Sequence, residues 1–440
     1  MQTRTGFLCF LFLCISSFGF TQTKIIAFEN VHIIPMDKDT ILPNKRVIIQ
    51  NGRIHTIESA SKPASIPIDE IIPASGKYLM PGLAETHYHL QNNIQNEFKL
   101  LIANGITSAR NMAEYPGQDQ ITIRNQVQKN AYLAPHYYTA GPYLMRKDFR
   151  NTHSVDSIIK LHLTKGYNYL KLADNLPKET YLKLLAETQK NHIDIIGHGQ
   201  RNLPLEFSLR MKSIAHVEEF MNILPKKVLL SDALLNQAAQ QVKTSGVYVS
   251  PTLGIFEMIG KYASKEGSEV LHKNPNLKYL PKHYVNYWTS DKINYRTHSW
   301  FTTPESLKRL ARELKWQQKF TLILHQNGVP LMAGSDTYGL FLPGFSLHHE
   351  LELIHSAGLS TYETLKTATV VPARYFNTYS QSGTITEGKL ADVVLLEKNP
   401  LENIQHTRSV LGVMLKGKWM NRKKLDAYLL EVAQSYQTKK

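Results

Sequence analysis

Between residues 81 and about 380 the chain repeats one pattern, a short apolar run of strand character followed by an amphipathic helical stretch. The runs are the strand that ends at His87, then GITSARNM, HYYTAG, YNYLKLAD, IDIIGHG, SIAHV, VYVSPTL and VPLMAGSD. Strands that are apolar throughout are buried on both faces, as in a parallel sheet covered by helices. Eight of them alternating with helices predict an α/β fold, a (β/α)8 TIM barrel over residues 81–381. In a barrel of this kind, catalytic groups gather where the strands end.

The flanks have a different texture. KIIAFENVHII, KRVIIQNGRIHTI and GKYLM are rich in Ile and Val and are punctuated by Asn-Gly and Ser-Gly turns. Asn51-Gly52 predicts a hairpin. After the barrel, SGTITEGKLADVVLLEKNPL and GVMLKGKWM return to β character. The expectation is a small β-sandwich domain built from both chain ends, residues 22–80 plus 382–425, with the barrel inserted between them. LDAYLLEVAQSY puts Leu425, Tyr428, Leu429, Val432 and Tyr436 on one face, so residues 426–440 read as a docking helix. Ser360 and Glu363 form a capping box. Residues 254–320 are too long for a simple helix and its loops, and they are aromatic: Phe256, Tyr262, Tyr279, Tyr284, Tyr287, Trp288, Tyr295, Trp300 and Phe301. Two readings stand side by side, a lid that contacts substrate and a helical subdomain using its aromatics as its own core.

After Arg4, an apolar run extends from Gly6 to Phe20 and then turns polar. This is the composition of a secretory signal peptide, residues 1–21, and it is short for a membrane span of ~20 apolar residues. The expectation is export, periplasmic or secreted, with no stable membrane insertion after signal removal. Both cysteines, Cys9 and Cys14, lie inside it, so the remainder has no thiolate for a disulfide or a metal. Lys plus Arg outnumber Asp plus Glu by 51 to 36, a net +15. The excess is dispersed and clusters only at Lys416, Lys418, Arg422, Lys423, Lys424, Lys439 and Lys440. With no nucleic-acid motif present, this reads as a solvated basic surface. The expected partner is a small-molecule substrate, and self-association as a homo-oligomer stays open.

His87 and His89 in PGLAETHYHL are two residues apart in a strand and point the same way. Paired neutral imidazoles suit Zn²⁺ or a similar divalent ion. His-x-His alone is also found as a surface or core pair. Other strand ends narrow the choice: Lys171 in YLKLAD, His198 in IIGHG, His216 in SIAHV and Asp336 in AGSDT each follow an apolar run. Taken singly, Lys171 reads as a solvent-reaching lysine paired with Asp174, and each histidine as a hydrogen-bonded core residue. Taken together, five strand ends carrying such groups point to one site.

PGLAETHYHL, NGITSARNM, YLKLAD, SIAHV, VSPTL, MAGSD, TYETLKTATVVPAR and GTITEGKLADVVLLEKNPL follow in this order over nearly all of residues 24–420. They resemble the amidohydrolase superfamily, most of all its imidazolonepropionase and Xaa-Pro dipeptidase (prolidase) branch. The resemblance implies two divalent metal ions, Zn²⁺ by preference. His87 and His89 would bind the more buried ion, His198 and His216 the second, and Lys171, carboxylated by CO₂, would bridge both. Asp336 would touch the first ion and carry the proton from the bridging hydroxide to the leaving amine. The implied function is hydrolysis of a C–N (amide) bond by a metal-bound hydroxide, in a dipeptide or cyclic amide. The alternatives are an ester or lactone hydrolase on the same site, and a metal-bearing binding protein without turnover; an intact Asp336 speaks against the last. Two positions depart from the family pattern: Glu85 stands where many relatives have Asp, and Asn111 replaces a commonly acidic residue.

Overall fold

The computed structural model describes residues 24–150 and 153–437. The expected signal peptide, residues 1–21, and both cysteines lie outside them. Among the described residues no helix is long and apolar enough to cross a membrane.

Five strands come first: β1 (Ile26–Ile33), β2 (Leu42–Gln50), β3 (Arg53–Ser59), β4 (Glu70–Pro73) and β5 (Tyr78–Pro81). Asn51 and Gly52 join β2 to β3 with φ of 53° and 70°, and Gln50 pairs with Arg53 across the turn. Two positive φ values in a two-residue loop are what Asn-Gly supplies at low cost.

Seven parallel strands follow: β6 (Leu83–Tyr88), β7 (Ile106–Asn111), β8 (His136–Thr139), β9 (Tyr169–Leu172), β10 (Asp194–Gly197), β11 (Ser213–Ala215) and β12 (Tyr248–Ser250). They make two runs, β6-β7-β8 and β9-β10-β11-β12, joined where Ala140 bridges Tyr169. The expected eighth strand is not a regular one. Residues 330–333 make single backbone hydrogen bonds instead: Val249 N to Pro330 O and Met332 N to Val249 O on one side, Thr86 N to Ala333 O on the other. A longer ladder fails because Ala333 N donates to Thr367 O and Asp336 turns left-handed, φ 54°. The segment nonetheless lies between β12 and β6, giving a TIM-barrel-like α/β arrangement.

Three final strands, β13 (Val393–Leu396), β14 (Val410–Leu415) and β15 (Lys418–Asn421), return to the first five. All eight hydrogen-bond as one mixed sheet, β15-β14-β13-β5-β1-β2-β3, with β4 beside β1. The VVLL run of β13 is wholly buried because both of its faces are covered. Val393 and Leu395 pack with Phe28, Val47 and Met414. Val394 and Leu396 point the other way, into the core shared with Leu83 and Ile106. Each such side chain contributes about 1.5–3 kcal/mol of burial, which fastens the sheet to the barrel. Pro81 ends β5, and Gly82 makes the crossing into β6; an added Cβ there would lie 2.2 Å from Thr107.

The 254–320 stretch is helical, with Leu253–Ala263, Lys265–His272, Lys282–Trp288 and the start of Pro304–Gln326. Tyr262, Tyr279 and Trp288 are buried in a core of their own with Leu340, Phe341 and Leu342. Val432 and Ala433 of the last helix complete it; that helix, Arg422–Gln437, begins before the expected residue 426. At the expected capping box, Ser360 Oγ accepts from Glu363 N at 3.1 Å. The Glu363 carboxylate pairs with Lys366 at 3.0 Å, so only half of the box forms.

Candidate metal centre

The strand ends converge. His87 Nε2 and His89 Nε2 lie 3.4 and 3.3 Å from Asp336 Oδ1, and His216 Nδ1 lies 3.9 Å from Asp336 Oδ2. Ring centroids of His87 and His89 are 5.2 Å apart, of His87 and His216 4.9 Å, and of His198 and His216 4.8 Å. Lys171, in β9, is buried beside them, and its charge acts on His87, His198 and His216. His87, His89 and Asp336 each offer a ligand atom, all within 4.8 Å of one another.

Backbone geometry at the strand ends is unusual. His216 has φ 69° and Asp336 φ 54°, a left-handed conformation that costs a non-glycine residue about 1–2 kcal/mol. Backbone bonds hold both: His216 N donates to Ser250 O, and Asp336 N to His87 O. Gly197, φ 120°, precedes His198. An added Cβ would lie 2.1 Å from Leu172 O and 2.9 Å from Lys171 Cδ, so only glycine lets β10 pass this close to the lysine.

A surrounding layer orients the imidazoles. His198 Nδ1 donates to Glu219 Oε1 at 2.7 Å, which leaves the Nε2 lone pair free. Arg201 donates to both oxygens of that carboxylate, at 2.9 and 2.7 Å. Thr252 Oγ1 donates to Pro251 O and accepts from His216 Nδ1 at 2.7 Å. Glu85, fully buried, accepts from His87 N and Ser335 N at 2.9 Å and from Ser335 Oγ at 2.5 Å. It therefore ties β6 to the segment that carries Asp336. Asn111 is also buried, and its Oδ1 accepts from Ala113 N at 3.1 Å. Glu219, Arg201 and Thr252 were not singled out from sequence. The only local signal for Glu219 is its place three residues after His216 in HVEEF, where Glu218 stands beside it.

The electrostatics fit a cation. Burial holds His87 well below the ordinary imidazole value and His216 at about 3, so both rings are neutral. For Asp336, burial alone would raise the carboxyl. The imidazoles of His87, His216 and His89, which turn N–H groups toward it and in the case of His89 hydrogen-bond it, outweigh burial and hold the group well below its usual range. Burial also brings Lys171 down to about 8. The expected Asp174 partner is engaged elsewhere, accepting from Arg146 N and Asn175 N. Among the described residues, His87 Nδ1, His87 Nε2 and His89 Nδ1 are buried without a hydrogen-bond partner. Buried polar atoms are rarely left so. Neutral imidazoles with open lone pairs around a carboxylate are a donor set for a divalent ion, and these residues fit one.

Residues 78–420 match the Amidohydrolase family. A solved Xaa-Pro dipeptidase with bound methionine shares the fold at a TM-score of 0.67, with 14% identity over 90% of this chain and 100% of that one. A putative prolidase from Bifidobacterium longum gives 0.68 and 22% identity, covering 93% and 99%. Bottromycin amidohydrolase gives 0.72 and 17%, covering 94% and 91%. The 5-methylthioadenosine/S-adenosylhomocysteine deaminase of Bacillus thuringiensis (strain Al Hakam) is 30% identical over 64 residues, 14% of this chain and only 15% of that protein's length. The extent of the family match means that the chain belongs to the amidohydrolase family.

Proposed function

We propose that the chain is a metal-dependent hydrolase of an amide bond in a small substrate, a dipeptide or cyclic amide. The observation that carries this reading is the Asp336 carboxylate set 3.3–3.4 Å from His87 and His89, with buried imidazole nitrogens that no protein group satisfies. Two divalent ions, Zn²⁺ by preference, supply a water-derived nucleophile at neutral pH and polarise the scissile carbonyl when bound. His87, His89 and Asp336 would hold one ion and His198 and His216 the other. Lys171, if carboxylated, would supply further oxygen ligands from the same cavity. An amine held at about 8 is available in its neutral, CO₂-reactive form near neutral pH, which supports that role. Asp336 accepts a proton on its carboxylate and passes it to the leaving nitrogen. Glu219, Thr252 and Glu85 keep the imidazoles and the Asp336 segment in place.

The architecture behind the site is read as a (β/α)8 barrel closed through residues 330–333. The terminal sheet is read as wrapped over its own core as a small sandwich, since β1, β2, β3, β13 and β14 all contribute to one cluster. Export through residues 1–21 is supported by the apolar run Gly6–Phe20 and by the confinement of Cys9 and Cys14 to it.

Screening Zn-loaded protein against dipeptide, cyclic amide and lactone panels tests the reading. Amine release from an amide is expected. Turnover of lactones alone would favour the esterase alternative, and no turnover in fully loaded protein would favour a binding role.

A further inference from the structure

The mouth of the site is built of aromatic rings brought from four separate segments, three loops and the helix Leu253–Ala263. Tyr115, after β7, sets its ring 5.4 Å from that of His89, and Tyr143, after β8, lies 5.5 Å from Tyr115. Phe256, after β12, meets the His216 ring at 6.4 Å, edge to face. Tyr338 stands two residues after Asp336. Thr337 Oγ1 accepts from His89 N at 2.8 Å and donates to His89 O at 2.9 Å, so the segment that carries Tyr338 lies against the same histidine. Tyr338 is 42% exposed, and the other three rings are half-buried. Half-buried residues of this kind beside the imidazoles keep part of their surface accessible.

The mouth is also packed from behind. Trp288 packs edge-on against Tyr338 at 4.7 Å. Leu340 N donates to Tyr262 Oη at 2.6 Å. Gly339, φ 61°, lies so close that an added Cβ would sit 2.4 Å from that same hydroxyl. The aromatic core of the 254–320 stretch is thus the clamp on the segment that carries both Asp336 and Tyr338. Its aromatics serve as its own core, and that core in turn fixes a wall of the site.

We propose that the substrate carries an aromatic or large apolar group beside the scissile amide, received by Tyr115, Tyr143, Phe256 and Tyr338. This rests on the hydrolase reading. Rigid rings accept a flat apolar group at small conformational cost, by offset or edge-to-face packing. An ammonium group stacked on the rings is the competing occupant.

The test has a binding arm and a turnover arm on the metal-loaded full chain. Binding of N-acetyl-phenylalaninamide, with the alanine, lysine and aspartate analogues, is measured by titration calorimetry and needs no turnover. The phenylalanine compound should bind about tenfold or more tighter than the alanine one. Tyr115→Ala and Tyr338→Ala should each cut that ratio at least about threefold. Phe256→Ala, in the helix Leu253–Ala263, gives the same reading if either tyrosine variant fails to fold. Equal binding, no binding, or preference for lysine or aspartate would overturn the inference, as would a ratio unchanged in the variants. In the turnover arm, matched dipeptides are compared by kcat/KM. Preference in binding with no turnover of any dipeptide or cyclic amide counts against the hydrolase reading and leaves the aromatic pocket standing. Turnover without preference counts against the pocket alone.

Discussion

Glu219 Oε1 lies 2.7 Å from His198 Nδ1, with Arg201 on the same carboxylate. Burial would raise Glu219, but Arg201 and His198 outweigh it and hold it at about 2, so it is a full anion at any pH where the protein works. Its task is to fix the tautomer and plane of His198. Glu219→Gln should fold and lose about 10–100-fold in metal affinity, read by competition with a chromogenic chelator. Unchanged affinity would show that His198 is held by packing alone.

Lys171 is buried, yet it faces imidazoles that its charge disfavours. Carboxylation, as proposed, would remove that conflict. Lys171→Ala should lose metal and turnover, with short acids such as acetate restoring part of both. Lys171→Arg should not recover either, because a guanidinium forms no carbamate. Full metal content in the Arg variant would reduce Lys171 to a structural role.

Asp336 occupies a left-handed backbone position that asparagine also tolerates. Asp336→Asn therefore keeps the turn and removes the base. Folding and metal should be retained, while turnover falls about 10²-fold or more. Near-normal turnover would show that the proton travels by another group.

Away from the site, His349 lies 2.7 Å from Glu257 and 3.5 Å from Glu352, which also carry Lys261 and Arg408. Burial would lower His349, but the two carboxylates lift it to about 9. A raised imidazole stabilises the fold fully below its ordinary 6.5 and loses that contribution as pH climbs through 9. Glu257 and Glu352, held at about 2, contribute above their ordinary 4.5 and lose it as pH falls toward 2. The stability gap between wild type and His349→Gln should be widest between these limits, near pH 5–6, and should close by about pH 10. Denaturant midpoints across pH 4–10 measure it; a gap that stays constant to pH 10 would contradict the ion-paired state.

The convergence of His87, His89, Lys171, His198, His216 and Asp336 was legible because each lies in or just after an apolar run, and strand period fixes which way a strand end points. The run of parallel strands was legible from the same apolar segments. The irregular 330–333 segment was not, since Ala333 N goes to Thr367 O, a partner no local pattern reveals. Nor was Glu350, which in HHELEL looks like a helix-surface residue. It is fully buried and accepts from Leu253 N and Gly254 N. Thr252 was hidden likewise, as its link to His216 exists only once β11 and β12 lie side by side. Residues that act through tertiary neighbours leave no periodic signature.

If hydrolysis depends on metal held by His87, His89, Lys171, His198, His216 and Asp336, active protein prepared without chelator should carry two divalent ions per chain by elemental analysis. Amide hydrolysis should be lost on chelation and regained on adding Zn²⁺. Active protein with a metal content near zero would show that the chemistry needs no metal.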